Sequence, residues 1–399
     1  MLRLEMLPAA HGDCLWIEYG NGSEVHRILI DGGPAHAYPA LRERILHLPA
    51  GERRFDLLVV THIDADHIEG IIRLLLDAET LECSFDRIWF NGAPQLRNDL
   101  PDPAGEALGS LQGEFLSLLI GDYEQRTGQA VWNSGLPGPL AAVDRKAGAL
   151  PTAELPGGCR LTLLSPDHQR LLDLKDNWDK ELVKARLVSG DETELRRRLE
   201  QSRNLRPLGD VLGEEEDPLL GPRAVAAEPG FADVLGGEPG EEATPGCDKS
   251  LANGSSIALL LDFPVDASEP RSPKTRLLLA GDAWPGVIAD SLDRLVAPGK
   301  RLAVDALKLP HHGSIANVDD RLLARLACAN YLISTSGAVF CHPHARAVEL
   351  LLEKHAGRGR PKLYFNYRSP TTAPWSDPED QAQRKYDASL PEGISVSFV

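Results

Sequence analysis

A short apolar run, Leu57-Leu58-Val59-Val60, passes directly into Thr61-His62-Ile63-Asp64-Ala65-Asp66-His67 and then Ile68-Glu69-Gly70. Such a run reads as a strand covered on both faces. The segment after it puts two imidazoles and two carboxylates within six positions. Side chains of these types hold a metal ion only when they converge from a rigid base, and the end of a buried strand supplies one. An ordinary polar turn has no reason to carry four ligand-type residues so closely spaced. The chain is thereby constrained to a fold in which strand ends gather at one place.

The histidines repeat that constraint. Six of the 12 fall in three short clusters: His62 and His67, His311 and His312, and His342 and His344. Structural histidines scatter singly, whereas ligands cluster because each must reach the same point. Elsewhere, β-rich runs alternate with helical stretches. The runs are Leu15 to Tyr19, Arg27 to Ile30, Leu57 to Val60, Arg160 to Leu164, Ile257 to Phe263, Arg276 to Ala280, Ala306 to Leu309 and Tyr331 to Ile333. That alternation predicts a layered α/β architecture. Ser165-Pro166-Asp167 starts a helix, with Leu171, Leu172, Leu174, Trp178, Leu182, Val183 and Leu187 at helical spacing up to a break at Ser189-Gly190. Asp191 then caps a charged helix reaching Glu200, whose Arg196-Arg197-Arg198 run reads as a solvated face, with phosphate binding as the sharper alternative.

Lys and Arg number 42 against 59 Asp and Glu, a net charge of -17, which excludes a basic nucleic-acid coat protein. The acid is concentrated. Pro207 to Asp248 holds eleven acidic residues and one basic residue, and 14 of its 42 positions are Gly or Pro. It reads as a flexible insertion, either a solubilising linker or a cover over a cationic site. No window approaches the roughly 18 consecutive apolar residues of a spanning helix, and Met1 to Leu7 lacks a secretory core. A cytoplasmic protein without a membrane partner is expected. The six cysteines contain no C-x-x-C pair and read as free thiols, with Cys14 and Cys341 as small buried residues.

The segment His62-x-Asp64-x-Asp66-His67 resembles the His-x-His-x-Asp-His signature of the metallo-β-lactamase superfamily, with Asp64 where the second His usually stands. The variant is most similar to the C-terminal hydrolase domain of the DNA-uptake channel protein ComEC and its free-standing relatives. Further segments follow in the expected order. They are Ala10-His11-Gly12-Asp13-Cys14, Leu29-Ile30-Asp31-Gly32-Gly33, Asn253-Gly254-Ser255-Ser256, Leu278-Leu279-Ala280-Gly281-Asp282, Pro310-His311-His312-Gly313-Ser314 and Cys341-His342-Pro343-His344. His11 departs from the branch's usual small or amide residue. The resemblance covers residues 1 to 165 and 250 to 366, and implies a four-layer αββα metallo-β-lactamase fold. Its first half would be 1–165 and its second half 250–399, with a helical and acidic insertion at 166–249.

The resemblance also implies a dinuclear site of two divalent ions, Zn or Mn. His62 and Asp64 would hold one and Asp66 and His67 the other, with Asp282 between them and one of His311 or His312 completing the set, His312 being favoured. The remaining His would act behind the ligands or on substrate. Asp66, His311 and His344 are the expected catalytic groups, and Asn253, Ser255, Ser256 and Lys308 the expected substrate contacts. Asp13 and Asp31 would buttress the ligands. The family's His between the first metal loop and the bridging Asp is missing, since His168 stands at a helix start; a water or Asn133 is expected there. Two such ions activate water for displacement. The acidic replacement favours a harder ion and an anionic phosphodiester. The expectation is a phosphodiesterase or nuclease acting on single-stranded DNA, RNA or a nucleotide. The alternatives are a small-molecule or signalling-nucleotide phosphodiesterase and a partner-gated effector needing a protein activator. Cations for a short strand would come from Lys308, Arg346, Lys354, Arg358, Arg360, Lys362 and Arg368. Oligomeric state is left open.

Overall fold

The computed structural model describes residues 1–21, 24–99, 110–175, 192–203, 244–265, 272–390 and 394–398. The first sheet contains β1 (Leu2–Met6), β2 (Leu15–Gly20), β3 (Val25–Ile30), β4 (Leu57–Val59) and β5 (Ile88–Trp89). The second contains β6 (Thr152–Glu154), β7 (Arg160–Ser165), β8 (Ala258–Pro264), β9 (Lys274–Leu279), β10 (Ala306–Lys308), β11 (Asn330–Ile333), β12 (Lys362–Phe365) and β13 (Asp387–Ser389). The last strand, β14 (Ile394–Ser397), returns to the first sheet, giving the order β14-β1-β2-β3-β4-β5. The second sheet runs β13-β12-β11-β10-β9-β8-β7-β6.

The two sheets stack through their inner faces. In β1 only Leu2, Leu4 and Met6 are fully buried, because successive side chains of a strand alternate between faces. They share one core with Ile17, Ile28 and Val59 of the first sheet and Leu161, Leu259, Leu277 and Leu307 of the second. The outer face of the first sheet, with Trp16, Leu29 and Leu58, packs against helices α1 (Tyr38–Leu46), α2 (Ala65–Asp77) and α3 (Ser110–Thr127). Helix α4 (Glu192–Arg203) lies against α3. The outer face of the second sheet is covered by α5 (Pro285–Leu292) and α6 (Ala345–His355). The chain is therefore a four-layer αββα sandwich. Among the described residues, no helix is long and apolar enough to cross a membrane.

All eight expected β runs are strands, with ends shifted by a residue or two. The helix begun by Asp167 is present over 168–175, where Asp167 Oδ1 accepts from Arg170 N at 3.1 Å. The expectations on Trp178 to Asp191 and on the acidic stretch up to residue 243 lie outside the described residues. Arg196, Arg197 and Arg198 pair with Glu192, Glu194 and Asp122, as a solvated face does. All six cysteines are free; Cys14 is buried as expected, whereas Cys341 is exposed, at a left-handed backbone position with φ 55°.

Topology decides where the chemistry sits. Strands β3, β4 and β5 run parallel, as do β9, β10, β11 and β12. Their C-terminal ends share one edge of the sandwich, and the starts of the antiparallel β2 and β8 meet that same edge. The segments carrying Asp31, His62, Asp282 and His312 follow those strand ends.

Candidate metal centre

Each imidazole is aimed from behind. Asp31 occupies a left-handed turn after β3, φ 58°. Its Oδ2 accepts from His67 Nδ1 at 2.8 Å and from the Thr61 hydroxyl at 2.7 Å, while Oδ1 accepts from Thr61 N at 2.8 Å. Thr61 Oγ1, its hydrogen given to Asp31, can only accept from His62 Nδ1 at 2.9 Å. His312 Nδ1 donates to the Ser334 carbonyl at 2.9 Å. His311 Nδ1 lies 2.9 Å from Asn317 Oδ1. In the neutral form of all four rings Nδ1 then carries the hydrogen, so Nε2 is left to present a lone pair to the interior of the site.

Those lone pairs meet carboxylates. His67 Nε2 is 3.3 Å from Asp282 Oδ2 and 3.9 Å from Asp66 Oδ2. His312 Nε2 stands 3.5 Å from each of the same two oxygens. His62 Nε2 is 3.4 Å from Asp64 Oδ2, and His311 Nε2 is 3.8 Å from Asp282 Oδ2. Asp282 thus lies between two groups of donors. Asp66, His67 and His312 form one set able to surround an ion, and His62, His67 and Asp282 another. The Nε2 atoms of His62, His67 and His312 and Oδ1 of Asp282 are buried and have no hydrogen-bond partner. Buried polar atoms are otherwise almost always paired. Divalent cations held by the two sets would satisfy them, and the nitrogen and carboxylate donors fit such ions chemically.

The electrostatics agree. Burial disfavours the His67 cation, yet the carboxylates of Asp282, Asp66 and Asp31 raise its pKa well above the ordinary value. His312, against the same burial, is raised to about 9 by Asp282 and Asp13. Burial pushes Asp282 up, but His312, His67 and His311 hold it well below the carboxylate range.

Close backbone packing makes the arrangement possible. A Cβ on Gly70 would lie 2.0 Å from Gly32 O, so the two glycines let α2 rest on the Asp31 turn. Gly281, at φ +52°, brings its chain against Ser256, whose hydroxyl accepts from Asp282 N at 3.0 Å.

Several expected substrate contacts are placed otherwise. Lys308 has no exposed surface and forms a buried ion pair with Asp13, which lies 3.4 Å from His312 Nδ1. Its position inside β10 turns it behind His312, away from any substrate. Ser255 donates to Ala252 O at 2.7 Å and Ser256 supports Asp282. Asn253 donates to Asp248 at 2.9 Å, and its buried Oδ1 has no partner. His344 is half-buried at the start of α6; its Nδ1 accepts from Ile315 N at 3.0 Å, leaving a hydrogen on Nε2. His342 is packed edge-on against His311 and His344, and burial together with those rings and His312 keeps it neutral.

Asn133 does not reach the site. Its amide is spent on Phe90 N, Phe90 O and Pro139 O, and His168 is exposed. Sequence reasoning missed Thr61, Ser334, Asn317 and Asp248, whose only signal is adjacency to a strand end or motif.

Most of the expected substrate cations are engaged or distant. Arg346 pairs with Glu353, Lys354 with Asp320 and Arg360 with Asp387. Arg358, Arg360 and Lys362 precede or begin β12, at the end of the sheet opposite the site; Arg368 follows it.

No family model matches the chain, and no curated protein matches it. Among solved structures it is similar to the crystal structure of a long form RNase Z from yeast, at 11% identity and a TM-score of 0.38. The likeness covers 99% of this chain and 42% of that one, so the chain spans less than half the length of the protein it matches.

Proposed function

We propose that the chain is a metal-dependent phosphodiesterase of metallo-β-lactamase type, acting on single-stranded nucleic acid. The observation that carries this reading is the convergence of His62, His67 and His312 Nε2 with Asp282 Oδ1, all buried and all without a hydrogen-bond partner. Asp66, His67 and His312 would hold one divalent ion, and His62, Asp64 and His311 the other, with Asp282 shared. Such ions lower the pKa of bound water and neutralise charge on a phosphoryl group in displacement. Three carboxylates among the ligands favour Mn²⁺ over Zn²⁺. Asp31, Thr61 and Ser334 hold the imidazoles in the ligating tautomer, and Asp13 with Lys308 supports His312 from behind. The Nε2 hydrogen of His344 is available to a phosphoryl oxygen or leaving group.

A second reading, a small phosphodiester such as a nucleotide, is favoured by the ion pairing of Arg346, Lys354 and Arg360, which among the described residues leaves little free charge for a long strand. Assays with Mn²⁺ on bis-p-nitrophenyl phosphate and on labelled single-stranded DNA separate the two. Cleavage of both, lost in Asp282→Asn, supports the nuclease; cleavage of the small ester alone supports the second reading. Hydrolysis by Asp282→Asn at the wild-type rate would remove the mechanism.

A further inference from the structure

We propose that Asp248, the last residue of the acidic stretch, is a positioning residue for His311 and acts through Asn317. Asp248 Oδ2 accepts from Asn317 Nδ2 at 2.7 Å and from Asn253 Nδ2 at 2.9 Å, and its Oδ1 accepts from Ser250 N at 2.9 Å. The backbone is fastened at the same place: Asp248 N donates to Ala316 O at 3.2 Å and Gly246 N to Ile315 O at 3.1 Å.

Asn317 is fully buried, and its Nδ2 also donates to Asp282 O at 3.0 Å. A carboxylate and a carbonyl only accept, so both amide hydrogens are spent on them and the orientation of the amide is determined. Asn317 Oδ1 is then the atom that faces His311 Nδ1, and His311 must carry its hydrogen there. Asn253 Nδ2 lies 3.3 Å from the same nitrogen, farther than the Asn317 oxygen at 2.9 Å, and gives a hydrogen to Asp248.

This support differs in kind from the other three. His67, His62 and His312 are held by a carboxylate, by a hydroxyl locked to that carboxylate, and by a carbonyl, none of which can exchange acceptor for donor. An amide can. Without Asp248 the amide of Asn317 is held by the Asp282 carbonyl alone, so turning its NH₂ toward His311, which stabilises the non-ligating tautomer with hydrogen on Nε2, costs one hydrogen bond instead of two. The end of the acidic stretch thereby supplies one of the two acceptors that hold His311 in the ligating tautomer.

The inference rests on the metal-centre reading, and its test separates the two. Titration of the full chain with MnCl₂ alone, by calorimetry, is compared for wild type, Asp248→Ala, Asn317→Ala, His311→Ala and the Asp248→Ala/His311→Ala pair. Nitrogen chemical shifts of the metal-free protein report the His311 tautomer. Expected are a loss of about 10- to 100-fold in affinity for one ion in Asp248→Ala and in Asn317→Ala, no further loss in the pair beyond His311→Ala, and a shift of His311 toward the Nε2–H form. Unchanged affinity in Asp248→Ala, additive losses in the pair, or an unchanged tautomer would overturn the proposal. Wild-type protein that takes up no Mn²⁺ while the tautomer shifts on substitution would overturn the metal reading and leave the Asp248–Asn317–His311 linkage standing.

Discussion

Lys308 is a lysine without exposed surface, and its only evident task is to neutralise Asp13 beside His312. Removing one partner of a buried pair strands the other charge, at a cost of about 3–5 kcal/mol. Lys308→Met is therefore expected to lower stability by that order in denaturant titration, and Lys308→Met with Asp13→Asn to recover much of it. The buried histidines carry a pH signature. His312 rises from 6.5 to about 9 on folding, so its contribution in the metal-free protein is complete below the unfolded value and lost as pH climbs through about 9. Asp282 is depressed, and its contribution disappears on acidification. The thermal midpoint of metal-free protein should fall between neutrality and pH 9 while that of metal-loaded protein holds, and Mn²⁺ binding should release protons and tighten with pH. The residues meeting at the site were legible because ligand types cluster in sequence. Their supports were not, since a Thr, a Ser carbonyl or an Asn gains its role only from what folding sets opposite it.

Helix α2 reaches the metal loop because Gly70 lets it touch Gly32. Gly70→Ala forces the helix away from the Asp31 turn and should cost about 1–3 kcal/mol as an overpacked contact, with weaker metal binding through the Asp31–His67 bond. Gly121→Ala, in α3 with nothing within 4 Å of its added Cβ, is the control and should be neutral or stabilising. Calorimetric melting of both checks this. Several of the strands read from sequence were continuous apolar runs, covered on both faces. The strand Leu2–Met6 escaped because Arg3 and Glu5 alternate with its core residues, and Ile394–Ser397 because its partner lies at the other end of the chain. Lys308 was misplaced for a related reason: in a three-residue strand, period alone does not say which face a lysine takes.

At the scale of the whole molecule, parallel strands deliver Asp31, His62, Asp282 and His312 to one edge and leave Arg358, Arg360 and Lys362 at the far end, about 13 Å away for a four-residue strand. With few free cations near the site among the described residues, the KM for a short single strand should change less than about tenfold between 50 and 200 mM salt; a much steeper dependence would contradict that reading. The central claim is that the convergent, unpaired donors hold metal. Elemental analysis of protein loaded with Mn²⁺ and desalted tests it most directly, with Asp282→Asn and His67→Ala beside the wild type. About two ions per wild-type chain, falling in both variants while the chains stay folded, is the predicted result; wild-type protein carrying no metal after loading would contradict it.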